Sequence, residues 1–286
     1  MARVAVITRT KDRSVFLARA IESVEGQTYK DYVHVIVNDG GDKNEVERVI
    51  EALDADIKGR IKLFHRPHPS NAPDTIFNES IDRVESEYVV IHDDDDTWHE
   101  GFLAKTVEHL DTNKDLAGVV ARADKVTEKY EGMSIKMLKK QPWMPDMQTI
   151  SLYRQFIDNQ LTPITFLFRR DAYQSVGKFD ANLPIVGDWE FGIRLLQQYD
   201  VDFLDPGFAL ANYHHRKTTK DNSFARHSHR KYVTKVANTY LRQDLKDGRL
   251  GVGYIISDLK YRQDSTHLLI KKIVPTRVLR AIQRRK

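Results

Sequence analysis

Val89-Val90-Ile91-His92-Asp93-Asp94-Asp95-Asp96-Thr97-Trp98 is the stretch on which the reading of this chain turns. An apolar run, Tyr88 to Ile91, leads directly into four consecutive carboxylates and then an aromatic residue. Adjacent like charges repel, so a folded chain tolerates such a run where solvent or a cation screens it. Two readings account for it. One is a solvated acidic turn in which Asp96 or Thr97 caps the next helix. The other is an all-oxygen site for Mg²⁺ or Mn²⁺, cations that commonly complete their coordination with phosphate oxygens. The strand in front favours the second, because ligands in open α/β sheets bind beyond the carboxyl ends of the strands.

Working outward, the same unit recurs. Val4-Ala5-Val6-Ile7 reads as a buried strand ending in Thr8-Arg9-Thr10, followed by a helix from Ser14 with Phe16, Leu17, Ala20, Ile21 and Val24 on one face. Tyr32 to Val37 is a second strand, closing on Asn38-Asp39-Gly40-Gly41, where the glycines let backbone approach a ligand. Helices are expected around Val46–Leu53, Asp74–Val84, Gly101–Leu110, Thr149–Asp158 and Asp171–Val176. Further strands are expected at 61–64, 116–121, 164–169, 201–204 and 208–213. Strands alternating with amphipathic helices predict right-handed βαβ units and a mostly parallel sheet. Residues 122–148 lose periodicity and read as a long lid or binding loop.

Composition narrows the classes. The 286 residues are 41% hydrophobic and 30% charged, ordinary globular values, with a net charge of +4 that does not by itself imply nucleic acid. There is no cysteine, which excludes disulfides and thiolate zinc sites. Met1 leads straight into a strand without the apolar core of a secretory leader, so a cytoplasmic location is expected. No stretch has the apolar length of a membrane span. After Asp264 no acidic residue remains, and residues 268–286 combine Lys271, Lys272, Arg277, Arg280, Arg284, Arg285 and Lys286 with an apolar face. That tail is expected to lie on an anionic membrane surface, the alternative being a solvated terminal helix that packs its apolar side onto the body.

Two further clusters carry chemistry. Asp188 opens the helix of Gly187-Asp188-Trp189-Glu190-Phe191, as a dipole-favoured cap or as a general base of tuned pKa. His214-His215 ends a strand beside Arg216-Lys217, a pairing suited to metal or phosphate. Neither a G-x-G-x-x-G nor a G-x-x-x-x-G-K-[ST] loop is present, so a nucleotide would be held by side chains and a metal. Thr8, Arg9 and Asp39 stand at the strand ends where base and ribose would lie.

Taken together, Val6–Thr10, Ala20–Tyr29 with its S-x-x-x-Q-T ending, Val35–Gly41, Val90–Trp98 and Gly187–Leu195 resemble the family 2 glycosyltransferases of GT-A fold. They resemble its D-D-G-S turn, its L-D-x-D-D-x-W stretch and its E-D-W-D-x-x-x-R-L helix in order and spacing, over roughly residues 3–215. The resemblance implies a GT-A catalytic domain over 1–220 and a helical C-terminal extension over 221–286. It implies an inverting transferase moving a sugar from a nucleotide-diphosphate sugar, UDP- or dTDP-linked by expectation and GDP-linked as the alternative, to a glycan or lipid-linked acceptor. By position, Thr8, Arg9 and Asp39 would contact the nucleoside. Asp93 would lie near the ribose, Asp94 beside it, and Asp95 on a divalent Mn²⁺ or Mg²⁺. Asp188 would be the general base, and His214 or His215 a further metal or phosphate ligand. Trp189 and residues 122–148 would shape the acceptor site.

Three positions depart from the family's pattern. Asn38 and Gly41 replace the first Asp and the Ser of D-D-G-S, and Phe77 stands where an Arg often contacts the nucleotide. Two rivals remain at this level. A nucleotidyltransferase of the same class would carry a glycine-rich loop after the first strand, which Thr8-Arg9-Thr10-Lys11-Asp12 is not. A non-catalytic sugar or nucleic-acid binder would interleave aromatics among the tail's bases, and from Leu268 onward there are none.

Overall fold

The computed structural model describes residues 2–131, 134–216 and 226–273. In chain order, β1 (Val4–Thr10), α1 (Ser14–Glu25), β2 (Tyr32–Asp39), α2 (Lys43–Glu51), α3 (Ala55–Lys58), β3 (Ile61–Arg66), α4 (Thr75–Asp82) and β4 (Tyr88–Ile91) form the first half. There follow β5 (Thr97–Trp98), α5 (Phe102–Thr112), β6 (Gly118–Ala121), β7 (Ala123–Glu131), β8 (Ser134–Pro142) and α6 (Leu152–Ile157). Then come β9 (Phe166–Arg169), α7 (Arg170–Val176), α8 (Gly187–Leu196), β10 (Val201–Leu204), β11 (Ala211–Arg216), α9 (Arg226–Lys246) and α10 (Val252–Ile273).

The main sheet has seven strands in the order β10-β6-β9-β4-β1-β2-β3, and only β9 runs antiparallel to its neighbours. β1 and β4 are central, and Val4–Ile7 and Tyr88–Ile91 are apolar and buried, as strands covered on both faces must be. One face buries Ile7, Val35, Ile76, Phe77 and Phe191; the other buries Val6, Val90, Phe102, Leu103 and Leu167. The mostly parallel α/β architecture expected from the alternation is the one observed.

A second sheet of four strands, β5-β11-β7-β8, leans on the acidic run. It corrects the lid-loop expectation for 122–148, because β7 and β8 form an antiparallel hairpin. The strand period was masked for a physical reason. The inward positions of β7 include Glu128, a fully buried charge, and β8 is an edge strand exposed along most of its length. The strand expected at 208–213 is also displaced, to Ala211–Arg216. At the far side, α9 and α10 pack on each other and close over α6 and α8 through Val236, Ala237 and Ile256 against Phe156, Trp189 and Ile193. Residues 274–286 and the side chains from 263 onward lie outside the described residues, so the basic tail of 268–286 is not seen. No described helix is long and apolar enough to cross a membrane.

α1 ends in the S-x-x-x-Q of Ser23 and Gln27, and both side chains grip the segment after the acidic run. Trp98 N donates to Ser23 Oγ at 2.6 Å. Gln27 Nε2 donates to His99 O at 2.9 Å while Gln27 Oε1 accepts from Leu103 N at 3.0 Å, satisfying an amide at the start of α5. Neither Asp96 nor Thr97 caps α5, whose N-cap is Gly101. Gln27 is fully buried, so Gln27→Leu strands one donor and one acceptor. We expect it to cost about 2–4 kcal/mol, read as a fall in melting temperature of roughly 5–10 °C. An unchanged melting temperature would show that water replaces the amide without loss.

Candidate active site

The four carboxylates of the run are not equivalent. Asp94 and Asp96 turn inward. Asp94 Oδ2 accepts from Thr10 Oγ1 at 2.8 Å and its Oδ1 from Arg13 Nη1 at 3.1 Å. Asp96 Oδ1 accepts from His214 N at 2.6 Å, tying the run to β11. Asp93 and Asp95 face outward. Among the described residues, none donates a hydrogen bond to the Asp93 carboxylate, whereas Asp95 is paired with Arg216 and, at 3.5 Å, with Arg13. Burial raises the pKa of Asp93 to about 7, reinforced by Asp95, Asp94 and Asp188 against the opposing charge of Arg9. Burial and Asp95 also raise Asp94 and Asp96.

Asp188 faces the run from the first turn of α8. The helix starts after Val186, a β-branched residue held at φ 61°. That left-handed conformation is costly for such a side chain and persists where the surroundings over-determine it. The N-cap residue Val186 makes no side-chain cap hydrogen bond, and Asp188 is the acidic residue of the first turn. Asn159 Nδ2 donates to Asp188 Oδ2 at 2.8 Å. Asn159 is itself oriented, since its Oδ1 accepts from Gln155 Nε2 at 2.9 Å and Leu161 N at 3.2 Å. Burial raises the pKa of Asp188, while neighbouring helix amides, His229 of α9 and Asn159 pull the other way.

Sequence reading did not anticipate Asp74. It precedes α4, its Oδ2 accepts from Asp188 N at 3.2 Å, and a Cβ on Gly187 would meet that oxygen at 2.4 Å. Burial raises Asp74 to about 8, with Asp188 and Asp93 adding to the shift and Arg9 opposing it. Asp74, Asp93 and Asp188 therefore lie close enough to influence one another, each brought there by a different element. Asn159 and Asp74 gave no signal in the sequence because each acts through the tertiary approach of a remote segment.

At the end of β1, a cavity of about 380 Å³ is lined by Arg9, Thr10, Lys11, Asp12, Arg13 and Asp94. Arg9 is partly exposed there, 3.9 Å from Asp39. Asp39 is buried, with its Oδ1 accepting from Ser70 N at 2.8 Å and Arg66 Nε 3.3 Å away. Gly40 has φ +73°, and a Cβ would lie 2.5 Å from Pro69 N, so the turn requires glycine. Thr8 is fully buried, its Oγ1 2.9 Å from Nε2 of His34, and its side chain does not line the cavity. Burial keeps that histidine neutral, with a pKa lowered to about 3. The Arg position of the family's helix is filled by Phe77, buried against Phe179.

The histidine pair is corrected. His214 Nδ1 lies 2.8 Å from Glu128 Oε2 and its Nε2 2.9 Å from Thr97 Oγ1, so both ring nitrogens are committed to holding the sheet together. Strand alternation turns His215 to the opposite face. Glu128 also takes Arg19 Nη1 at 2.9 Å. Burial opposes its ionisation, but hydrogen bonds from His214 and Arg19 prevail and lower its pKa to about 2. No three His, Asp or Glu side chains among the described residues form a ready-made metal cage.

These shifts give a signed prediction. Asp74 has a folded-state pKa of about 8 against 3.8 for an ordinary carboxyl. Its stabilising contribution is present below the lower value and lost as pH rises through the higher one. Asp74→Asn keeps an oxygen for Asp188 N and removes that loss. Its melting temperature relative to the parent should rise between pH 4 and 8 and then level off; a pH-independent difference would refute the assignment.

The chain matches the family model for glycosyl transferase family 2 over residues 5–177, more than half its length. It is 24% identical over 202 residues to the Bacillus subtilis glycosyltransferase YwdF, covering 70% of each chain. It is 32% identical over 108 residues to the Campylobacter jejuni GalNAc(5)-diNAcBac-PP-undecaprenol beta-1,3-glucosyltransferase, which is 38% of this chain and 34% of that one. Among solved structures it superposes on Staphylococcus aureus TarS with UDP-GlcNAc at a TM-score of 0.64 and 15% identity, over 82% of this chain and 65% of that one. The Pyrobaculum calidifontis mannosyltransferase PcManGT, solved with GDP-Man and Mn²⁺, aligns at 0.57 and 15% identity over 84% and 64%. The chain thus spans about a third of the Campylobacter relative and just under two thirds of these structural neighbours. With a GT-A-type sheet and the family's sequence model across most of it, this chain is a member of glycosyltransferase family 2.

Proposed function

We propose that the protein transfers a sugar, with inversion, from a nucleotide-diphosphate sugar to a hydroxyl of a glycan or lipid-linked acceptor. What supports this is that Asp74 accepts from Asp188 N at 3.2 Å, and that Asp93, at the end of β4, and Asp188, at the start of α8, are both close enough to Asp74 to raise its pKa. Asp188 takes the acceptor's proton as the acceptor oxygen bonds to the anomeric carbon; the bond from that carbon to the diphosphate breaks, and its electron pair leaves with the phosphate oxygen. Asn159 keeps the receiving carboxylate oriented, and the nearby helix amides favour its ionised form.

Asp93 and Asp95 fit a divalent cation. Their donors are hard carboxylate oxygens, and no described residue hydrogen-bonds the Asp93 side chain. Two such ligands leave coordination positions for the diphosphate, as Mg²⁺ and Mn²⁺ sites commonly do. When bound, the cation neutralises the departing diphosphate. Asp94 serves as a brace for Arg13 at the cavity wall. The nucleoside lies along Arg9, Asp39 and the backbone at Thr8, where Arg9 and Arg66 are the cations beside Asp39; a uridine or thymidine diphosphate is the expected carrier. Residues 1–220 form the catalytic unit and the helices beyond it an extension that closes over α8.

Calorimetry with uridine, thymidine, guanosine and cytidine diphosphates, with and without Mn²⁺, tests the reading. One of them should bind in a metal-dependent manner and lose at least about tenfold in affinity in Asp95→Ala, the order expected for one ion contact. No binding by any diphosphate under any metal condition would overturn it. With the donor in hand, Asp188→Asn should retain nucleotide affinity and lose about 10²–10⁴-fold in turnover. Asn159→Ala should move the acid limb of the rate profile to higher pH, because a donor that favours ionised Asp188 is gone. An unmoved limb would reduce Asn159 to packing.

A further inference from the structure

We propose that residues 69–74 form a strap through which the turn of residues 38–41 holds Asp188 in place, with Asp74 as the positioning residue at its far end. The strap hangs from the turn. Ser70 N donates to Asp39 Oδ1 at 2.8 Å, and a Cβ on Gly40 would lie 2.5 Å from Pro69 N, so strap and turn are in backbone contact. Arg66, 3.3 Å from Asp39, also pairs with Glu79 of α4. At the other end Asp74 Oδ2 accepts from Asp188 N at 3.2 Å, across 114 positions of sequence.

Between its ends the strap is stiff. Pro69 and Pro73 fix their own φ and restrict the residue before each. Ser70 Oγ donates to Ala72 O at 2.9 Å and accepts from Ala72 N at 3.1 Å, and Thr75 Oγ1 donates to the same carbonyl at 2.7 Å. A displacement at Ser70 is therefore carried to Asp74 rather than absorbed.

Asp74 stands at the N-cap of α4 but its side chain does not cap that helix. Backbone carbonyls meet the first amides of α4 instead, Ala72 O taking Thr75 N at 3.0 Å and Pro73 O taking Ile76 N at 3.1 Å. An aspartate at such a position ordinarily binds amides of its own helix; this one reaches α8. There it serves an amide of the first turn, which has no partner within the helix. The backbone beside Asp188 fits this role. Val186 is strained at φ 61°, Gly187 has no room for a Cβ against Asp74, and the bond from Asp188 N to Asp74 holds that arrangement.

Where Asp39 meets a nucleoside and Asp188 an acceptor hydroxyl, the strap aligns the base once the donor is seated, and by linkage an aligned base favours the bound donor. That consequence rests on the transferase reading; the strap itself does not.

Amide hydrogen exchange in the full chain, followed in peptides spanning 186–190, tests the strap without ligand. Asp74→Ala should speed exchange there roughly tenfold, the loss of one hydrogen bond, and Asp74→Asn should restore it. Ser70→Ala should speed the same peptides, and adding it to Asp74→Ala should change nothing further. Exchange at 186–190 indifferent to Ser70→Ala would overturn the proposal and leave Asp74 a local contact. Uridine diphosphate with Mn²⁺ should slow exchange at both 38–41 and 186–190 in the parent, and only at 38–41 in Asp74→Ala. Slowing at 186–190 that survives Asp74→Ala would overturn the coupling. Slowing at neither place would overturn it together with the uridine reading, while the ligand-free comparison still decides the strap. In turnover, Asp74→Ala should lose about tenfold to a hundredfold in kcat with nucleotide affinity kept, and Asp74→Asn should recover most of it. A parallel loss of nucleotide affinity would overturn the positioning role.

Discussion

Two guanidiniums and an imidazole converge on one buried carboxylate, and the geometry of the site follows from it. Glu128 of β7 is met by Arg19 from α1 and by His214 and Arg216 from β11. The same cations reach the acidic run, Arg216 at the Asp95 carboxylate and Arg19 at the Asp95 carbonyl. Phe16 of α1 lies beneath both guanidiniums, with centroid distances of 5.5 Å for Arg19 and 4.3 Å for Arg216. A buried ion pair is weak evidence of stability, yet removing one partner strands the others at a cost of several kcal/mol. What such a cluster supplies is register: one arrangement of α1, β7, β11 and the turn after β4 satisfies every charge.

That division explains why the run alternates in role. Asp94 and Asp96 are drawn inward by Thr10, Arg13 and the backbone of His214, so the turn cannot rotate without losing those partners. Asp93 and Asp95 are held outward as a consequence. A D-x-D pair on an unanchored turn would relieve its repulsion by splaying; here the intervening residues forbid it.

Much of this was legible in the sequence, because β1, β2 and β4 are mostly apolar and each leads into polar residues at the same edge. The motif spacing likewise singled out Asp93 and Asp188, which lie close enough in the structure for one to raise the pKa of the other. What was hidden was hidden by buried charge and by long-range approach. Glu128 broke the apolar period of β7, so a hairpin read as a loop. His214 and His215, adjacent in sequence, point to opposite faces, and the first is spent on Glu128. Thr8 looked like a ligand at a strand end but is claimed by His34. Asp74 and Asn159 acquire meaning only when α8 arrives beside them, an approach that Gly187 permits and no local pattern announces.

The cleft is an electrostatic compromise. Asp74, Asp93 and Asp188 all have pKa values raised chiefly by burial. A chain selected for stability alone would replace one of them with a neutral side chain. Retaining all three makes the site poor at staying empty and good at receiving a cation, a proton, or both. The environments then separate the roles. Asp93 has no donor among the described residues and is satisfied best by a cation. Asp188 has Asn159 and helix amides that favour its ionised form, and so is suited to taking a proton from a neighbouring hydroxyl. Asp74 already accepts the Asp188 amide and is the carboxyl that burial and both neighbours press hardest toward protonation.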